Sequence, residues 1–140
     1  MTTVLLAYDA SSGARAALKK VAQLFPGCSL CLVQSVVPPD PSVPPAAEPP
    51  RWDELTAATE RDLVQLAQGA GFTAPTAKVL VGDAADMILQ AAADVQPDVL
   101  VLGTHERSAV ARLLLGSVAE QVAHRAACPV LLVRARRDHP

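Results

Sequence analysis

Long apolar runs, a dominant sign of charge and a cysteine framework are all missing from this sequence, and each absence removes a class of protein. No apolar segment among the 140 residues approaches the roughly 20 that a membrane-spanning helix needs. The opening stretch from Met1 to Leu6 carries no basic n-region and meets Asp9 too soon for a signal peptide, so a cytoplasmic location is expected. Basic and acidic residues number 12 and 14, for a net charge of −2. That balance predicts no nucleic-acid footprint. The arginines between Arg134 and Arg137 read as a solvated tail. Three cysteines cannot build a disulfide framework. Cys28 and Cys31 do form a C-x-x-C, but the pair opens a strand-like run rather than a helix. Alternation puts the two thiols on opposite faces, and no second ligand pair for zinc follows. They read as buried structural thiols. Aromatics are scarce at 3%, so the apolar 51% is mostly Ala, Leu and Val.

Proline is the residue in excess. Seven of the 12 prolines lie between Pro38 and Pro50, so the composition describes a folded domain with one Pro-rich interruption. Most of the others punctuate: Pro26, Pro97 and Pro129 close helices, and Pro75 precedes a strand.

Five short apolar runs, Val4 to Tyr8, Leu30 to Val37, Thr76 to Val81, Val99 to Leu102 and Val130 to Val133, are predicted strands. Between them lie four helical stripes. The first is capped by Ser11 or Ser12 and runs through Ala14, Ala17, Leu18 and Val21 to Phe25. The second includes Trp52, Leu55, Leu63, Leu66 and Ala70, with Gly69 and Gly71 at its close. The third follows an Asp83 cap through Ala85, Ile88, Leu89 and Ala92. The fourth opens on Ser117-Val118-Ala119-Glu120, a capping-box pattern. Between Thr104 and Gly116 runs a long connection, with a helical turn expected from Ala109 to Leu115. Strands that are continuously apolar are covered on both faces. The fold class is therefore α/β, a doubly wound parallel sheet, whose ligands bind beyond the carboxyl ends of the strands at the switch point. Asp9, the end of the second strand and the loop after Gly103 should converge there.

The segment from Gly103 to Val118 carries the chemistry. A glycine at a strand end admits a ligand to the backbone. A Gly-Ser pair opening a helix leaves free amides and a hydroxyl at the positive end of the dipole, a phosphate cradle, although the same pair also serves as a plain cap. His105 either bonds loop backbone or faces a phosphate. Asp9 is either a ligand-binding acid or a helix cap. His124 belongs to the fourth helix, and His139 to the tail. The sequence contains no G-x-S-x-G elbow and no G-x-x-x-x-G-K-[ST] loop, which excludes a hydrolase triad of that kind and a standard phosphate loop. Gly69-x-Gly71 follows a helix and lacks a third glycine, so it reads as a helix end.

Several pieces in order resemble a single-domain universal stress protein almost end to end. They are Val4 to Ser11, Val81-Gly82-Asp83, Val101 to His105, Leu115-Gly116-Ser117-Val118 and Cys128-Pro129 through Val133. The resemblance implies one domain over residues 1–140 with an adenine nucleotide alpha hydrolase-like fold, a five-stranded sheet in order 3-2-1-4-5. It also implies a homodimer paired through Val130 to Val133, binding of ATP with or without Mg²⁺, and a role in stress adaptation with at most slow hydrolysis. The family's nucleotide-binding members are similar in a loop of Gly, two residues, Gly, nine residues, Gly, then Ser or Thr. Here Gly103, the nine residues Arg107 to Leu115 and Gly116-Ser117 match, while Glu106 replaces the second glycine. If that position needs φ > 0, the replacement costs about 1 kcal/mol, and a carboxylate beside a triphosphate repels it unless Arg107 or Arg112 compensates. Adenine and ribose binding are then expected to persist while triphosphate affinity falls. The implied binding set is Ala7, beside the adenine; Asp9, near the adenosine; Ser11; Val36, offering backbone to the base; and Gly103, His105, Glu106, Arg107, Gly116, Ser117 and Val118. The alternative is a dimeric interaction or signalling module that binds no nucleotide because Glu106 has closed the phosphate site. The same resemblance puts the Pro38–Pro50 connection beside the cleft. There it is expected to form a stiff, extended flap, mobile or partner-dependent, that ends at Trp52.

Overall fold

A computed structural model describes residues 1–37, 51–104 and 116–135. The Pro-rich connection, the turn expected from Ala109 to Leu115, and His105, Glu106, Arg107 and Arg112 lie outside the described residues. Five strands alternate with four helices: β1 (Thr3–Ala7), α1 (Ser12–Leu24), β2 (Ser29–Val36), α2 (Trp52–Gly69), β3 (Thr76–Val81), α3 (Ala84–Val95), β4 (Val99–Thr104), α4 (Ser117–Arg125) and β5 (Val130–Arg134). All strand pairs are parallel, in the order β3-β2-β1-β4-β5. β4 runs two residues past its expected end at Leu102, because Gly103 and Thr104 still pair with Val133 and Arg134 of β5.

The period of two sorts the sheet into two cores. Val4, Leu6, Leu30, Leu32, Val99 and Val101 face α1 and α2, where Ala17, Val21, Leu63 and Ala67 meet them. Leu5, Cys31, Val33, Leu100 and Leu102 face α3 and α4, against Ala85, Ile88, Ala91 and Val122. Leu5 and Leu6 are both fully buried although they point to opposite faces. Burial of this kind stabilises each leucine by about 1.5–3 kcal/mol, which is why these strands read as uninterrupted apolar runs. Cys28 and Cys31 fall in opposite cores as expected, and both are free thiols. β1 is central. Leu5 pairs with Cys31 on one side and with Leu100 on the other. The Asp98 carboxylate accepts from the Thr3 amide at 2.7 Å across 95 residues of sequence.

Helix starts follow local chemistry. The Ser11 hydroxyl accepts from the Ala14 amide at 3.1 Å and caps α1. Asp83 does the same for α3, from Asp86 at 3.1 Å. The capping box expected at Ser117 is not made. α4 starts one residue earlier: Gly116 is its N-cap, Ser117 is the first helical residue, and the Ser117 hydroxyl accepts from the Gln121 side chain at 3.1 Å instead.

Candidate functional site

The order in which the strands are added reverses between β1 and β4. From β1 the chain winds outward through α1 and α2 on one face, and from β3 it crosses back through α3 and α4 on the other. A cavity of about 340 Å³ opens beyond the carboxyl ends of β1 and β4, at this switch point. That volume suits a small-molecule ligand.

Three strand ends and three helix starts line it, Ala14 coming from the first turn of α1. β1 and the residues after it give Ala7, Tyr8 and Asp9; β2 gives Val33 and Ser35; β4 gives Leu102, Gly103 and Thr104. α3 supplies Ala84 and Ile88, and the start of α4 supplies Gly116, Ser117, Val118 and Ala119. Of the expected binding residues, the structure therefore brings together Ala7, Asp9, Gly103, Gly116, Ser117 and Val118. Ser11 is not in the lining; its hydroxyl is committed to capping α1. His105, Glu106 and Arg107 lie outside the described residues.

Val36 is placed differently from the expectation. Its carbonyl accepts from the Gly82 amide at 2.9 Å, and its side chain packs on the α1–α2 core. Alternation gives the cavity to Val33 and Ser35, so a shift of one residue along the strand changes the face.

The two ends of the cavity differ in chemistry. At the β2 and α3 end, Val33, Ala84 and Ile88 give it an apolar wall. At the other end α4 begins without a side-chain cap. The first intrahelical bond is from the Glu120 amide to the Gly116 carbonyl, at 2.9 Å. The amides of Ser117, Val118 and Ala119 precede it and have no intrahelical acceptor. Among the described residues a Cβ on Gly116 would meet nothing within 4 Å. Asp9 stands exposed at the mouth. One of its carboxylate oxygens accepts from the Ser11 amide at 3.0 Å, and Ala10 between them takes a left-handed φ of 63°.

Gly103 has a role that the strand-end argument missed. A Cβ on it would come within 2.2 Å of the Gly13 carbonyl and 2.7 Å of the Ala14 amide. The space expected to admit a ligand is filled by the first turn of α1. Gly13 is the reciprocal half of the contact: its own Cβ would sit 2.6 Å from the Thr104 carbonyl oxygen. Two backbones cross here without side chains between them, and this crossing forms the floor of the cavity. Sequence reasoning did not single out Gly13, because nothing local marks it; only the partner across the sheet does.

Fold and cleft together define a doubly wound α/β protein of the adenine nucleotide alpha hydrolase-like kind, with a small-molecule cavity at its switch point. The chain belongs to the universal stress protein family, whose sequence profile matches residues 1–134. A universal stress protein of Thermus aquaticus is 38% identical over 138 residues, covering 94% of this chain and 98% of its own. Among solved structures, a universal stress protein in complex with cAMP superposes with a TM-score of 0.67 at 26% identity, covering 96% of this chain and 98% of that one. A universal stress protein family member of Arabidopsis thaliana with AMP bound gives a TM-score of 0.69 at 22% identity, with coverage of 99% and 95%; at that identity the likeness is one of fold.

Proposed function

We propose that this protein binds an adenine nucleotide in the switch-point cavity, as a stress-adaptation module with at most slow hydrolysis. The observation that carries the reading is the polarity of the cavity: an apolar wall at β2 and α3, a carboxylate at the mouth and a helix start without a side-chain cap at the far end. An aromatic base suits the first. The exposed Asp9 carboxylate is an acceptor and suits ribose hydroxyls. The amides of Ser117 to Ala119, backed by the helix dipole, suit a phosphate. The relative at 26% identity with cAMP bound supports the same class of ligand. ATP is the proposed nucleotide, and Mg²⁺, where used, would arrive with its phosphates. Among the described lining residues no nucleophile is paired with an activating base, in keeping with slow turnover.

Titration calorimetry with ATP, with and without Mg²⁺, tests this directly. Saturable heat accompanied by a rise in Tm is expected; neither effect at millimolar ATP would sink the proposal. Glu106 in the place of a motif glycine favours a second reading, a dimeric interaction module with a closed phosphate site. Glu106→Gly separates the two: binding that appears only in the variant selects the module.

A homodimer paired through Val130 to Val133 is also proposed. β5 is an edge strand of the sheet, and its Val130, Leu131 and Leu132 are only half-buried in the single chain. Such an edge is normally covered.

A further inference from the structure

The chain has one soft joint between the end of β1 and the start of α1. Tyr8 is tied to the sheet, its amide donating to the Val33 carbonyl at 2.9 Å. Ser11 is tied to α1, its carbonyl accepting from the Arg15 amide at 3.0 Å. Asp9 and Ala10 alone connect the two. Ala10 takes a φ of 63°, in the left-handed region that a Cβ disfavours, and it is exposed, so burial does not hold it there. Such a conformation persists where its surroundings dictate it. Two hydrogen bonds do so. The Asp9 carboxylate accepts from the Ser11 amide at 3.0 Å, spanning Ala10. The Arg15 guanidinium donates to the Ala10 carbonyl at 2.6 Å.

Arg15 thus grips two successive carbonyls, Ser11 with its amide and Ala10 with its side chain. It stands near the N-terminus of α1, where the helix dipole disfavours a cation, and no acidic residue of the first turn offsets it. Its place there is explained by the carbonyl it reaches. We infer that Arg15 is a positioning residue of the cleft: by holding Ala10 left-handed, it sets where the Asp9 carboxylate stands at the cavity mouth. It acts through Asp9 and touches no ligand itself. This assignment rests on the nucleotide reading given above, in which Asp9 meets the ribose hydroxyls. A carboxylate already held in its binding position has little ordering left to lose when the ligand arrives.

Arg15→Met tests the inference on the full chain, because methionine keeps an unbranched stem and a good helix preference but removes the donors. AMP affinity by calorimetry is expected to fall about 3- to 10-fold, the effect of losing one hydrogen bond. In an Asp9→Ala background, which already lacks the carboxylate, the same replacement should change affinity less than about twofold. In the ligand-free protein, hydrogen exchange of the Ser11 amide should quicken about 3- to 10-fold, while that of the Val21 amide, inside α1, stays unchanged. Unaltered AMP affinity, or an equal loss in both backgrounds, overturns the assignment, the second because Arg15 then acts without Asp9. Equal acceleration at Ser11 and Val21 also overturns it, since the whole helix has then loosened. If wild-type protein binds neither ATP nor AMP, the nucleotide reading itself fails, and this inference fails with it. That outcome is distinct from one in which wild type binds and the two backgrounds lose equally.

Discussion

Gly13 and Gly103 show what a single Cβ would do at the floor of the site. A methyl group at position 103 has no flexible neighbour to displace, since the atoms it would meet are backbone carbonyl and amide of α1. Gly103→Ala should therefore destabilise the fold by about 2 kcal/mol or more, read as a lower urea midpoint at unchanged m-value. Gly116 is the opposite case, since among the described residues nothing stands where its side chain would be. An aspartate there is a good N-cap for α4, and its carboxylate occupies the amides proposed for the phosphate. Gly116→Asp should leave stability equal or a few tenths of a kcal/mol higher, while nucleotide affinity drops about tenfold, near the 1.4 kcal/mol that one lost charge-assisted contact is worth. Calorimetry and thermal unfolding on the same sample separate the two effects.

Among the elements, β2 carries the most information per residue. Its alternation sends Leu30 and Leu32 to one core, and Cys31, Val33 and Ser35 to the other face. Burial pushes the Cys28 thiol pKa above its ordinary value. The folded state thus prefers the neutral thiol. Its contribution to stability is intact below the ordinary thiol pKa and declines as pH rises through the folded value. Cys31 is likewise buried, whereas Cys128 before β5 is half-exposed. Labelling at neutral pH with a thiol reagent should modify Cys128 first, with Cys28 and Cys31 reacting only when denaturant unfolds the chain. Fast labelling of all three in the native protein would contradict the two-core packing. The elements themselves were legible in the sequence because strands buried on both faces leave unbroken Val and Leu runs, and because Ser11 and Asp83 are capping types at the right offsets. The register at the end of β2 was not legible. Ser35 and Val36 lie at the half-buried end of the run from Leu30 to Val37, past the buried residues that fix the alternation, and one residue decides which of them meets the cavity. The start of α4 was missed for a related reason. Ser117 and Glu120 match a capping box, yet Gly116 takes the cap and leaves the amides open.

For the molecule as a whole, the position of the site followed from topology: a doubly wound sheet has its crevice where the winding reverses. Its floor did not, because Gly13 and Thr104 meet only through tertiary structure. The two edges of the sheet are finished differently. At β3 the Glu60 carboxylate of α2 accepts from the Val79 amide at 3.0 Å, so a side chain of the same chain occupies part of the ladder. Among the described residues no side chain bonds the main chain of β5 in this way, and β5 is where the partner is proposed. Light scattering should then give a particle of twice the 14.6 kDa chain mass. A monomer at micromolar concentration would remove the dimer while leaving the cavity proposal intact.

The central position of β1 also sets the order in which the site can come into being. Its pairing with β2 joins neighbours in sequence and closes a short loop around α1. Its pairing with β4, and the Thr3–Asp98 bond beside it, must close 95 residues. Loop entropy makes the first pairing fast and the second slow. On a ribosome releasing the chain from its N-terminus, β1, α1 and β2 can assemble while the other edge of β1 is still bare. The cavity has no floor until Thr104 arrives against Gly13, and no anion-attracting end until α4 follows. Ligand affinity is therefore a property acquired late in synthesis, and a nucleotide that binds this site acts as a lock on the completed chain, with no hold on its early intermediates.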